Sequence, residues 1–516
     1  MGSERSVAAT RGEGRRLTLF HEALLSGFAR RGDKAALVDA TSGRTISYAD
    51  LPGAVERVAA ALRASGLRNG EVVGLLGRNV PEYLPTLLGI LAAGGVVAPV
   101  NPHFLPHEAA VQLVGSRASR IIAQESLLPN ALVAASGAGI PVLAADDGAC
   151  ALREVAHGGA VRSRTIEGGA PGDALLAWSV GPGGFPAPAR LSHTALAAAL
   201  VGLAAVVPWR EDDIVYTVIS PYDLYGMVST LALALHCGMT AVTATRFDAR
   251  SFAQAVRTFG ATVSNVVPSI VRVLAESPAV PDGFAPLRLL ISGGAPLAPH
   301  VCTACSERLG IPVIQGFGLA EAAGATHVDA PVGDALGATC GRPIAGLTAR
   351  VVAGSGRVVP AGGVGELWVR GPQLFSGYLG NDGKSAEALT PDGWLRTGDL
   401  ASADETGRVT ILGRQKRLVK VKGFQVSPAE VEAALVEHPR VSAAAVVPTW
   451  DLLSGEENAR AFVVTRGGVE PAEIQRWVAD RVARHKRPAT VEVVSELPPG
   501  GGPWFFPWAA DNGARD

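Results

Sequence analysis

Short apolar runs alternate with longer helical patterns as far as about Gly341, and this rhythm constrains the fold more than any other feature of the chain. EVVGLLG (71–77) reads as a strand, VPEYLPTLLGILAAG (80–94) as a helix, and GVVAPVNP (95–102) as a second strand closed by a proline turn. The pattern returns in TAVTATRF (240–247), the helix of SFAQAVRTFG, then TVSNVV (262–267) and LRLLISGG (287–294). Strands this apolar need cover on both faces, which predicts mainly parallel sheets with helical crossovers. A chain of 516 residues is too long for one core, so two or more domains are expected.

Past Gly341 the texture changes to shorter strands and turns (LTARVVAGSGRVVPAGGVGELWVRG), the mark of a smaller β subdomain. After ILGRQKR (411–417) come a hairpin-like segment, a helix (PAEVEAALVEH), a strand (SAAAVVPTW) and a second helix (EIQRWVADRVARH). The predicted fold is therefore α/β: a large N-terminal domain of stacked, mainly parallel sheets with helices and a β subdomain, then a small α+β domain. The expected boundaries are an N-terminal segment 1–18, a large domain 19–412, a linking segment 413–416, a small domain 417–503 and an aromatic tail 504–516.

A net charge of −1 gives no electrostatic reason to bind nucleic acid or an anionic membrane. The longest apolar run, Ala195 to Trp209, is about fifteen residues against the roughly twenty of a membrane span, so it reads as a buried helix. Five scattered cysteines fit a reducing cytoplasm. Cys302 and Cys305 form a CxxC inside a predicted helix with no second ligand pair, so they read as packing residues.

Six segments carry the chemistry: WSVGPGGFPAPARLSH (178–193), ISPYDLYGM (219–227), SGGAPL (292–297), QGFGLAEAAG (315–324), GWLRTGDL (393–400) and GRQKRLVKVKGFQVSPAEVE (413–432). In this order they resemble the blocks of the adenylate-forming acyl- and aryl-CoA synthetases, close to the 4-coumarate–CoA ligase type, over roughly residues 20–500. That resemblance implies ATP, Mg²⁺ and CoA as reactants or cofactors. A carboxylate becomes an acyl-adenylate with release of pyrophosphate, and a thiol then displaces AMP. It also implies that the small domain is mobile and turns about residues 413–416 as a hinge between the two half-reactions.

Carried over by the resemblance, Gly293, Gly294 and Ala295 contact adenine, Phe317 stacks on it beside Gly318, and Asp399 accepts both ribose hydroxyls. Arg414 reaches the ribose, Lys416 sits at the hinge, and Lys420 and Gln425 face the adenylate. Glu321 binds magnesium, and Gly181 and Gly184 belong to the phosphate loop. Tyr222, Asp223, Gly226 and Gln315 fall to the acyl pocket.

The departures from the family pattern gather on phosphate handling. Pro182 and Gly183 stand at two threonine places of the loop, and Ala187 stands at its lysine place; Pro182 also removes a backbone donor. Ala320 replaces a threonine whose hydroxyl contacts phosphate, a loss of about 1.5–3 kcal/mol. The family ends in a glycine-lysine turn whose lysine stabilises developing charge. Here PGGGPW ends at Trp504, and none of the six lysines (Lys34, Lys384, Lys416, Lys420, Lys422 and Lys486) follows position 486. Losing one group aimed at transition-state charge costs roughly 10²–10³ in rate. Asp223 replaces a histidine; a carboxylate in an apolar pocket needs a cationic partner or a proton. A substrate amine is one such partner, and a neutral or solvent-facing Asp223 is the other reading.

Three functions follow: a divergent ligase activating a small carboxylate, aromatic or amine-bearing, and passing it to CoA or a carrier-protein thiol; an ATP-independent acyl transferase between CoA and a carrier protein; and a non-catalytic AMP- or CoA-binding partner of an active homologue.

Overall fold

A computed structural model describes residues 19–497 except 147, 149, 157–171, 181–185, 282, 332–336, 338, 416–417 and 452–455, together with the backbone of Trp504 and Phe505. Two large sheets, each parallel through its middle, form the bulk of the chain. The seven-stranded sheet runs in the order Leu152–Ala156, Val142–Ala145, Arg120–Gln124, Val72–Leu76, Val96–Val100, Asp173–Val180, Pro186–Ser192. The nine-stranded sheet runs from Arg342–Pro343 through Gly324–Val328, Val313–Leu319, Leu289–Ser292, Val263–Val266, Ile214–Thr217, Thr240–Thr243 and Ala35–Asp39 to Thr45–Ser47.

The period-two alternation of the strands divides their side chains among three cores. Val73 and Leu75 of one sheet, with Leu37, Leu289 and Ile291 of the other, enter a single cluster between the sheets. The intervening residues point outward. Val72 and Leu76 pack under helices Pro106–Gly115 and Leu128–Ala138. Val38 and Leu290 pack under helices Ala249–Phe259, Pro268–Glu276 and Pro299–Leu309. These strands are covered on both faces, as their composition requires. The apolar run at 195 lies in helix His193–Ala204, whose start is capped by the Ser192 hydroxyl accepting from Ala195 N–H at 3.1 Å. Cys302 and Cys305 are buried along one helix, burial pushes both thiols up to about 12, and no cluster of three metal-ligating side chains occurs among the described residues. Among the described residues no helix is long and apolar enough to cross a membrane.

The β subdomain is a sheet of Thr348–Val352, Val364–Arg370, Leu395–Ala403 and Val409–Arg414, extended by Trp504–Phe505. Residues between Val419 and Val491 form a separate hydrophobic cluster with a two-stranded hairpin and a three-stranded sheet. Ser427 caps helix Pro428–Val436, accepting from Glu430 N–H at 3.3 Å, with proline at the first helical position. The helix read at 473–485 is shorter than the sequence suggests: Pro471–Ala479 ends in a turn, and a short 3₁₀ segment Arg484–Lys486 follows. The chain bends there because Val482 and Ala483 are drawn into the interior while His485 and Lys486 turn toward the large domain.

His327 is fully buried in the nine-stranded sheet, and burial lowers its pKa to about 3. The unfolded chain therefore takes up this proton first as pH falls below the ordinary value of 6.5, and the folded state loses about 1.4 kcal/mol per pH unit from there downward. Urea unfolding of the large domain at pH 6.5 and pH 5 should show the parent losing about 2 kcal/mol more than His327→Asn. Equal losses in the two proteins would mean that His327 is protonated in the fold.

Candidate active site

A cavity of about 1130 Å³ opens between the two large sheets and the Val419–Val491 unit, and a narrower one of about 70 Å³ adjoins it. The two share Gly294, Gly316, Phe317, Gly318 and Lys420 along their walls. The narrow cavity gathers most of the residues assigned to the nucleotide: Gly294, Ala295, Phe317, Gly318, Asp399, Arg414 and Lys420. They arrive from five elements of the chain: the ends of Leu289–Ser292 and Val313–Leu319, the adjacent strands Leu395–Ala403 and Val409–Arg414 of the β subdomain, and the hairpin. Gln315, read as an acyl-pocket residue, lines the narrow cavity instead and donates to the Gly337 carbonyl.

Two of the expected glycines have steric reasons. A Cβ on Gly293 would lie 3.0 Å from the Tyr225 ring, whose hydroxyl donates to the Ile291 carbonyl at 2.7 Å. A Cβ on Gly226 would come within 2.4 Å of the Ser220 carbonyl, so this residue shapes the turn and lines neither cavity.

Asp399 and Arg414 are register partners on neighbouring antiparallel strands, and the Asp399 N–H donates to Thr397 Oγ1 at 3.0 Å. The Arg414 guanidinium makes a bidentate pair with Glu457 (3.0 and 2.9 Å) and donates to the Leu418 carbonyl at 2.7 Å. Glu457 comes from the small unit and drew no attention in the sequence. Lys420 lies close by: burial and Arg414 lower its pKa, while Asp399, Glu457 and Asp223 oppose them.

Glu321 is buried; its Oε1 accepts from the Ser179 hydroxyl at 2.8 Å and from the Tyr378 hydroxyl at 2.5 Å. Among the described residues Oε2 accepts no bond. That leaves one carboxylate oxygen for a cation otherwise held by phosphate oxygens, which is how Mg²⁺ is usually bound. Ser179 also pairs in register with Ala187, so the residue at the loop's lysine place is a buried alanine in the core between the sheets. Gly181, Gly184 and Lys416 lie outside the described residues.

Tyr222 and Asp223 line the larger cavity. Asp223 caps the next helical turn, accepting from Tyr225 N–H at 2.8 Å. Its exposed face opens into the cavity and not into bulk water, so burial raises its pKa, while the Tyr225 bond and the Lys420 charge pull it back. Lys420 is thus a cation whose field reaches Asp223, although the two form no ion pair. Just beyond, Met227–Ala232 winds as a π-helix in which the Thr230 hydroxyl donates to the Tyr225 carbonyl at 2.8 Å. Gln425, opposite Lys420 in the hairpin, also lines the larger cavity, with Lys422, Gly423 and Phe424. The Trp504–Phe505 strand pairs with Gly413–Arg414, which places Trp504 opposite Arg414 in register.

The chain matches the AMP-binding enzyme family over residues 25–379 and the AMP-binding enzyme C-terminal domain over 430–499. It is 33% identical to 4-coumarate–CoA ligase 5 of Oryza sativa subsp. japonica, covering 93% of this chain and 91% of the relative. Peroxisomal OPC-8:0-CoA ligase 1 of Arabidopsis thaliana is 29% identical, with 92% and 89% covered. Among solved structures, the amide bond synthetase McbA from Marinactinospora thermotolerans superposes with a TM-score of 0.82 at 26% identity, covering 94% of this chain and 98% of its own. A malonyl-CoA ligase complex with methylmalonyl-CoA and AMP superposes at 0.77 and 29%, covering 91% and 97%. The protein belongs to the AMP-binding family of adenylate-forming enzymes, and it is 4-coumarate–CoA ligase-like within it.

Proposed function

We propose that the protein joins a small carboxylate to a thiol, CoA or a carrier protein, through an acyl-adenylate, and that its thiol-transfer half is the better equipped. The observation that carries this reading is the position of the Val419–Val426 hairpin. Lys420 and Gln425 line the cavity beside Tyr222 and Asp223, so nucleotide-side and acyl-side groups share one space. In the first half-reaction a carboxylate oxygen attacks the α-phosphorus and pyrophosphate leaves. Glu321 would hold the magnesium that screens the phosphates. In the second, the thiolate attacks the acyl carbon and AMP leaves, with Asp399 holding the ribose and Lys420 placed to meet phosphate charge.

The groups replaced, at Pro182, Gly183, Ala187, Ala320 and Trp504, all serve the first half-reaction. That pattern also supports the transferase reading, in which an acyl group moves between CoA and a carrier protein without ATP. The two separate in one experiment: supply a synthetic acyl-adenylate with CoA, and compare it with ATP, Mg²⁺, acid and CoA across aromatic and amine-bearing acids. Thioester from the adenylate at least tenfold faster than from ATP is expected. Thioester from neither, with acyl exchange between thiols intact, would replace the ligase reading. Because one structural neighbour is an amide bond synthetase, the acceptors should include simple amines.

Asp399→Ala should abolish AMP binding by calorimetry and lower turnover at least 10²-fold; unchanged AMP affinity would remove Asp399 from the nucleotide site. Trp504→Lys should raise ATP–pyrophosphate exchange about tenfold or more, a partial return of the 10²–10³ assigned to such a group. No change would mean that adenylation is limited elsewhere. If Asp223 holds a substrate amine, Asp223→Asn should raise KM for amine-bearing acids about tenfold and leave amine-free acids alone. Equal effects on both classes would make Lys420 its working partner.

A further inference from the structure

Lys486 is 3% exposed and lies where the small unit meets the helix Pro106–Gly115 of the large domain. Its ammonium donates to Glu108 Oε1 at 2.9 Å from the large domain and to Glu430 Oε1 at 3.2 Å from its own side, and sits 4.1 Å over the Phe104 ring. The second oxygen of Glu108 accepts from Leu105 N–H at 2.9 Å, which fixes the carboxylate at the start of its helix. A buried ammonium has to be paired, and half of this pairing comes from across the interface. The lysine also separates two acids: burial, and less strongly Glu108, push Glu430 toward protonation, and Lys486 opposes them.

This ion cluster is joined to the hairpin by a column of rings. His485 stacks on Phe104 at 5.8 Å and on Phe424 at 4.5 Å, and Phe424 meets His103 edge-on at 5.5 Å. The outer members, His103 and Phe104, belong to the large domain; the inner pair belongs to the small unit. Phe424 follows the turn of the hairpin that carries Lys420 and Gln425 into the cavity. A further bond, His107 Nε2 to the Arg481 carbonyl at 3.1 Å, runs along the same seam. Turning the small unit away would strip Lys486 of Glu108 and Phe104 and break the column in the same movement.

We propose that Lys486, through Glu108 and Glu430, is a positioning residue that latches the hairpin into the cavity, and so favours the orientation in which the adenylate meets the thiol. Neither the resemblance nor the relatives assign it this role, and the first readout below requires no substrate.

Hydrogen exchange on full-length protein tests the latch. Lys486→Met should speed exchange at least tenfold in peptides covering Val419–Val426 and residues 103–112, with Val263–Val266 unchanged and Lys486→Arg close to the parent. Glu108→Gln keeps a group able to cap its helix and lies outside the small unit, so it cannot act by unfolding that unit; it should expose the same hairpin. With synthetic acyl-adenylate and CoA, Lys486→Met and Glu108→Gln should each slow thioester formation at least tenfold, with Lys486→Arg close to the parent. Unchanged hairpin exchange in Glu108→Gln would overturn the latch, whatever Lys486→Met does. A protein inactive with every acid and thiol, yet showing the faster hairpin exchange, would fail the proposed reaction and keep the latch.

Discussion

The active-site architecture depends on the buried pair between Arg414 and Glu457, 4% and 2% exposed at their side chains. Two charges withdrawn from water this far are tolerable only with close, saturated geometry, and deleting one partner of such a pair typically costs about 3–5 kcal/mol. Here the fork is bidentate and its third contact is the Leu418 carbonyl, four residues along. The strand that ends in Arg414 belongs to the β subdomain, and Glu457 belongs to the three-stranded sheet of the small unit. One ion pair thus closes the turn after the last large-domain strand and ties it to the domain that follows. Arg414 is the register partner of Asp399, so the same pair positions the carboxylate assigned to the ribose.

Lys420 follows from that constraint. Once the chain turns at Leu418, the hairpin carries the lysine into the wall shared by the two cavities, within the field of Arg414, Asp399, Glu457 and Asp223. The three carboxylates restore part of the positive charge that burial and the neighbouring guanidinium remove. An ammonium held in balance this way can meet a phosphate without first shedding a full water shell. Its field also reaches Asp223, where it opposes the upward push of burial without forming an ion pair.

Much of this was legible before any coordinates, because the relevant signals are local. Short apolar runs with helices between them specify parallel sheets covered on both faces, and Leu289, Leu290 and Ile291 alternate between cores as a strand's period of two demands. The residues Gly294, Ala295, Phe317, Gly318, Asp399 and Arg414 sit in motifs whose order is distinctive, and they meet in one narrow cavity. What escaped has no local signature. Glu457 is an ordinary polar residue of an alternating strand, and its importance comes from a partner 43 residues away. Lys486 follows a predicted helix and drew no role; its partner Glu108 is 378 residues distant, and burial there is a property of the interface alone. Gln315 was misplaced for a related reason: motif order indicates proximity to the ligand, not which of two adjoining cavities a side chain enters.

The pattern of losses and of contacts can be combined. A mobile domain visits two orientations in proportion to the contacts each one offers, and a ligand or side chain shifts the balance only through a difference between them. In the orientation described here the small unit is held by the Arg414–Glu457 pair, the Lys486 cluster and the Phe104–His485–Phe424–His103 column. The resemblance assigns the other orientation a terminal lysine as its reward, and the sequence has Trp504 at that place, on a strand paired with Gly413–Arg414. On the proposed reading, contacts are plentiful on one side of the equilibrium, and Trp504 stands where the resemblance puts the other side's lysine. That reading accounts for replacements gathered on phosphate handling beside a retained hairpin and ribose carboxylate: selection on a thiol-facing state would keep Asp399, Lys420 and Gln425 and relax its hold on the triphosphate.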